Sequence, residues 1–172
     1  MQAAYVRAMD ALHRLCMIIA GFCLVVITII IPWGVFTRYV LNYGSSWPEP
    51  TAVLLMIWFS FMAAALCYRE GLHIGVKIIP DAIGGVGRIV IGWLIELAMA
   101  FTNLFMLVWG ISLVQTTWHS ALADFPIITA GFSYLPVPLG GAITTLFVIE
   151  RLWLGNVLAE PNTDAMTHVS TE

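Results

Sequence analysis

Three groups of residues have types and spacings that could support chemistry. The first is Glu96, an acid followed by 27 residues without a charge, Leu97–Ala123. Inside a bilayer a charged side chain costs roughly 2.5–3.5 kcal/mol, so this carboxyl needs a partner or a proton. It is either an ion-coupling or proton-relay acid, or a carboxylate near a membrane interface that pairs with a basic side chain. With Arg88 taken as the interface, Glu96 lies about 12 Å along the helix from it. No second acid or histidine stands at helical spacing, which favours the pairing. Asn103, seven residues further on, reads as hydrogen-bond glue between helices.

The second group is Arg69, Glu70, His73 and Lys77, the best polar cluster from which a small membrane enzyme could be built. His13 and His73 also raise the question of haem. A membrane cytochrome needs axial histidines within its helices, facing one another across the bundle. Both histidines fall at a membrane boundary and His119 falls in a loop, so the sequence argues against haem. The third group is Arg38 with Glu49: a lone outer arginine, expected to pair with the acid at the base of the next helix rather than to snorkel unpaired to headgroups.

Cys16 and Cys23 stand seven apart on one apolar face, and Cys67 lies near the end of the second apolar run. No C-x-x-C and no zinc spacing occurs, so all three read as small buried apolar residues. No P-loop, catalytic triad, paired carboxylates or metal set is present. The expectation is a chain without catalytic residues, cofactor or metal.

These residues have to be positioned by a membrane domain. Hydrophobic residues make up 60% of the chain and charged ones 10%, with a mean hydropathy of +0.93. That is too little charge to cover a soluble surface. The net charge of −3 comes largely from the tail and says little about partners; nucleic acid is not expected as one.

The chain reads as an all-α integral membrane protein with four transmembrane helices in one domain, residues 1–159. A polar tail, 160–172, is expected to be cytoplasmic and disordered. The crossings are placed at about 15–37, 51–68, 88–115 and 134–154. Residues 1–14 form an amphipathic lead. The 23 uncharged residues Leu15–Thr37 are too long for a signal-peptide core, so this helix is retained. Pro32 should bend that helix or begin its exit.

The second crossing, Thr51–Tyr68, has 18 uncharged residues, enough for about 27 Å of helix. Its start can be read as a Ser46–Glu49 capping box. The other reading makes Glu49 the cap with Pro50 in the first helical position, and it is slightly preferred. In the connection that follows, Leu72, Ile74, Val76 and Ile78 alternate with other residues. That pattern suits a segment at the interface or against a partner, or a plain loop. Residues 115–133 read as a loop. Pro136 and Pro138 fall in or just before the first turn of the last helix. Trp33, Tyr39, Tyr43, Trp47, Trp118, Tyr134 and Trp153 lie near helix ends as an aromatic belt.

Arg7, Arg14, Arg69, Lys77, Arg88 and Arg151 fall on one side of these crossings and only Arg38 on the other. The positive-inside rule then puts both termini in the cytoplasm, N-in/C-in. A complete secondary transporter generally shows internal repeats and broken helices around a midplane site. Four crossings without them suggest an accessory subunit.

The order of short motifs carries a family resemblance. FTRYVLNYGSSWPEP (Phe36–Pro50) and YREGLHIGVKIIPD (Tyr68–Asp81) resemble the small permease, or Q, subunit of TRAP transporters, the tripartite ATP-independent periplasmic systems. The matching residues are Arg38-Tyr39 and Asn42, Trp47 and Glu49, then Arg69, Gly71, His73 and Ile74, and finally Pro138 with Gly140. The family pattern has a second acid after Glu49, where this chain has Pro50, so a role needing both carboxylates is not carried over.

The resemblance implies a non-catalytic subunit of the bacterial inner membrane. It would pack as a stator against the large permease (M) subunit, which carries an organic acid or related solute with sodium coupling. It also implies a periplasmic solute-binding protein (P) docking on the complex, with lipid around it. Arg38, Trp47, Glu49, Arg69, Glu70, Gly71, His73, Glu96, Pro138 and Gly140 are then interface or structural residues. The competing expectation is a membrane-anchor subunit of a respiratory or redox enzyme.

Overall fold

The computed structural model describes residues 2–71, 85–122 and 129–153. Five helices occur among them: α1 Gln2–Tyr39, α2 Pro48–Arg69, α3 Gly85–Thr117, α4 Ala130–Tyr134 and α5 Pro136–Trp153. Four spans are long and apolar enough to cross a membrane, the last made of α4 and α5 together. The protein is an all-helical, multi-pass membrane protein.

The lead and first crossing form one helix rather than two pieces. α1 runs unbroken for 38 residues and passes through Pro32. In hydrocarbon an interrupted helix would strand several backbone groups, whereas continuing past one proline leaves only one carbonyl short of its donor. Helix α2 starts between the two expected caps, Ser46 and Glu49. Trp47 is the N-cap, without a side-chain cap bond, and Pro48 is the first helical residue. This register puts Pro48 and Pro50 in the first turn, where the backbone N–H has no intrahelical partner in any case. The first intrahelical bond is Thr51 N–H to the Trp47 carbonyl, at 3.2 Å.

The expected loop at 115–133 is partly ordered. Ala121 and Thr129 form an isolated antiparallel bridge, and the single helical turn α4 follows it. A turn at Leu135 separates α4 from α5. Pro136 and Pro138 occupy the first turn of α5, as the sequence reading had it. The segment containing His73 and Lys77, and the tail, lie outside the described residues.

The helices are packed in the order α1, α2, α5, α3. Neighbours in that row touch extensively, while α1 and α3 have no backbone contact. The buried face of α1 is a heptad seam. Met9, Cys16 and Cys23 alternate with His13, Ala20 and Ile27 at steps of three and four, and the small residues let α2 come close. Cys16 and Cys23 are buried and Cys67 is half-buried.

The inner face of α3 repeats the pattern with Gly92, Glu96, Asn103, Gly110 and Val114. Between α3 and α5 the backbones nearly touch at Gly141. A Cβ there would lie 2.9 Å from the Asn103 carbonyl oxygen and 3.1 Å from the Leu107 nitrogen. The Asn103 side chain does not bridge helices: its amide donates to the Met99 carbonyl of its own helix, at 2.8 Å.

Candidate functional site

Three consecutive residues at the end of α2 reach all three other long helices. Arg69 forks onto Glu150 of α5, with Nε and Nη2 each 2.9 Å from a carboxylate oxygen. The same Nη2 donates to Asp10 of α1 at 2.6 Å. Glu70 meets His13 of α1, with Nε2 to Oε1 at 3.0 Å. The Tyr68 hydroxyl donates to Glu96 of α3. Arg151 completes the set from α5, donating to Glu96 at 2.9 Å and to the Tyr68 carbonyl at 3.0 Å.

Two aromatic faces support the cations. Arg151 lies 4.6 Å from the Tyr68 ring centroid and Arg69 lies 5.3 Å from that of Phe147. The centre of the site is desolvated, with the Glu96 side chain 3% exposed, Glu150 8% and Arg69 18%, while Asp10 and Glu70 at its edge are partly open to solvent. A bidentate arginine–carboxylate fork fixes orientation as well as distance, so this network holds the helices in one register.

Local sequence explains why these groups converge. The helices run alternately up and down, so the start of α1 and α3 and the end of α2 and α5 meet at one end. Basic residues at the C-terminal ends of α2 and α5 also face the negative poles of those helix dipoles. Gly71 ends α2 with φ of +69°, a conformation that glycine adopts without Cβ strain.

At the opposite end the polar contacts are loose. Arg38 Nη2 lies 3.5 Å from Glu49 Oε2, with side chains 55% and 80% exposed. Trp47 is exposed beside them, and Asn42 takes a positive φ of 50° in the turn between α1 and α2. Pro138 is buried in the first turn of α5, and Gly140 faces α2, where a Cβ would meet Phe61 Cβ at 3.1 Å. Among the described residues no three histidine, cysteine or acidic side chains converge as a metal site.

A family model described as the DctQ component of tripartite ATP-independent periplasmic transporters matches residues 24–156. This chain belongs to that family. It is similar, at 25% identity over 148 residues, to a Haemophilus influenzae protein named as a TRAP transporter small permease protein; the alignment covers 83% of this chain and 85% of the relative. The sialic acid TRAP transporter small permease protein SiaQ of Vibrio cholerae is 22% identical over 124 residues, 72% of this chain and 71% of that one. Membership of this family supports a transporter-subunit role, and the redox-anchor alternative finds no support.

Within this DctQ-family chain, the structure brings Arg69, Glu70 and Glu96 together and sets Arg38 beside Glu49 at the far end. It does not unite the two groups. Glu96 stands in the arrangement favoured from sequence, a carboxylate paired with a basic side chain. Sequence reasoning passed over Asp10, His13 as a partner of Glu70, Tyr68, Glu150 and Arg151. The available signal was that Glu150-Arg151 and Tyr68-Arg69-Glu70 each end an apolar run on the side where Asp10 begins one.

Proposed function

We propose that this chain is the non-catalytic frame of its transporter, packing against the large permease subunit in the bacterial inner membrane with both termini in the cytoplasm. The observation that carries this is how the charges are distributed. Among the described residues each of the five carboxylates Asp10, Glu49, Glu70, Glu96 and Glu150 faces a basic side chain of the same chain. Four of them, Asp10, Glu70, Glu96 and Glu150, brace the subunit internally at one end, which leaves no unpaired acid within the described spans to bind a solute.

Meanwhile the outer helices present large apolar side chains. Only 17% of the most apolar window of α1 and of α3 is buried, against 44% in the last span. Exposed residues such as Phe101, Phe105 and Trp109 on α3, and Ile18 and Phe22 on α1, offer surface to the large subunit or to lipid. In this reading the large subunit moves an organic acid or related solute with sodium, and the periplasmic binding protein docks over the 38–50 and 115–133 connections. The excess of lysine and arginine on the other side supports that orientation.

Co-purification tests the proposal. The tagged chain, expressed with its neighbouring genes and extracted in mild detergent, should bring down a large multi-helix permease in stoichiometric amount. Isolation as a monodisperse single protein would overturn the frame role.

A further inference from the structure

The end of the bundle away from the ion network holds two adjoining cavities for which the frame reading names no occupant. The larger, about 810 Å³, opens between the turn at 44–46, α2 and α4, with Leu54, Ile57 and Ser133 in its wall. The smaller, about 280 Å³, follows the seam of α1 and α2 past Ile31, Val35, Ala52 and Met56. Arg38, Ser45, Glu49 and Val53 line both, so the loose ion pair stands on the divide. Both apolar walls descend about two turns from it toward the middle of the spans, roughly 10–12 Å.

An independent sign of a missing ligand is Ser133. The residue is 8% exposed and its hydroxyl is buried without a hydrogen-bond partner. Such a group is costly unless something supplies a partner. The chemistry of the divide says what that is. A guanidinium fork suits phosphate, a carboxylate beside it suits a primary ammonium, and both are exposed enough to turn toward a ligand. Exposed Tyr39, Tyr43, Trp47 and Tyr134 surround this end, the residue types that sit at headgroup level.

We propose that this divide binds one zwitterionic glycerophospholipid of the ethanolamine type. Its phosphate lies on Arg38 and its ammonium donates to Glu49. The upper parts of its two acyl chains enter the two cavities, and a rotation of the Ser133 side chain brings its unpaired hydroxyl to a glycerol-ester oxygen. Glu49 disfavours an anionic headgroup, and choline has no N–H to give it. A combined volume near that of a drug-sized pocket accommodates the headgroup and the first chain carbons.

The test uses the full chain, stripped of lipid in detergent and titrated with palmitoyl-oleoyl phosphatidylethanolamine, phosphatidylglycerol or phosphatidylcholine under native mass spectrometry. One phosphatidylethanolamine should bind, about tenfold more tightly than the other two. Arg38→Gln should weaken it about tenfold, and Glu49→Gln should remove the preference over phosphatidylcholine. Val53→Trp should block binding without changing charge. Unchanged unfolding midpoints in lipid-free detergent would show that these variants are folded. Equal binding of the three lipids, or undiminished binding in both Arg38→Gln and Val53→Trp, overturns the proposal. So does stoichiometric loss of the lipid when the large permease binds, which would make the groove a protein-docking site.

Discussion

The two ends of the bundle use the same residue types in opposite ways. At one, Arg69 and Glu150 are locked by two bonds of 2.9 Å and lie out of water. At the other, Arg38 and Glu49 approach to 3.5 Å with both side chains mostly exposed. Burial strengthens each contact but makes a broken one expensive, while exposure makes a pair weak and adaptable. The difference separates a joint that fixes helix positions from a surface left to engage other molecules.

The sharpest way to break that contrast is to remove the hub of the locked end. Arg69→Leu leaves Glu150 buried without its fork and Asp10 without its partner, an uncompensated loss of about 3–5 kcal/mol. Thermal unfolding in detergent should show a large drop, with the protein scarcely accumulating in membranes. A variant as stable as the parent would mean that helix packing alone sets the register.

A second cut separates bracing from coupling. Glu96→Gln keeps an acceptor for Tyr68 but removes the charge facing Arg151, and should cost about 1.5–3 kcal/mol of stability. Transport per assembled complex should be unchanged. Wild-type stability with uptake abolished would instead make Glu96 an ion-coupling acid.

Smaller effects are expected where packing rather than charge is changed. Gly141→Ala puts a methyl 2.9 Å from the Asn103 carbonyl oxygen, a backbone atom that cannot step aside. Overpacking of this kind costs about 1–3 kcal/mol. Gly21 is the control: nothing lies within 4 Å of an added Cβ there. Gly21→Ala should be neutral or stabilising by up to about 1 kcal/mol, because alanine is the better helix former. Equal unfolding midpoints for the two variants would show that α3 and α5 can separate at no cost.

What sequence alone discloses follows the same division. Apolar runs long enough to cross a bilayer identify the four spans, and the seven-residue spacing of Cys16 and Cys23 already marks the inner face of α1. The need of Glu96 for a partner follows from desolvation. Its partners do not, because Arg151 is 55 residues away and Tyr68 is 28 residues away. Likewise Asp10 and Glu150 converge on Arg69 only through the register of three helices, which side-chain packing decides. The start of α2 was ambiguous for a local reason: a serine, a tryptophan, an acid and two prolines within five residues support several caps of similar energy. Where Pro48 sits against Gly34 of α1, with an added Cβ only 3.0 Å from it, tertiary contact selects one.

The exposed pair should give the smallest change in stability and the clearest test of its role. Arg38→Glu places two carboxylates side by side, yet solvent screens them, so the unfolding free energy should change by about 1 kcal/mol or less. Uptake or assembly should fall further than that figure implies if this end meets another molecule, and Glu49→Arg in the same chain should not restore it. Restoration by the swap would mean that the attraction between the two side chains is what matters. Failure of the swap, with both single variants impaired, would mean that each charge meets its own external group. That second outcome is the one expected if phosphate and ammonium occupy the divide, because exchanging the charges reverses both contacts at once.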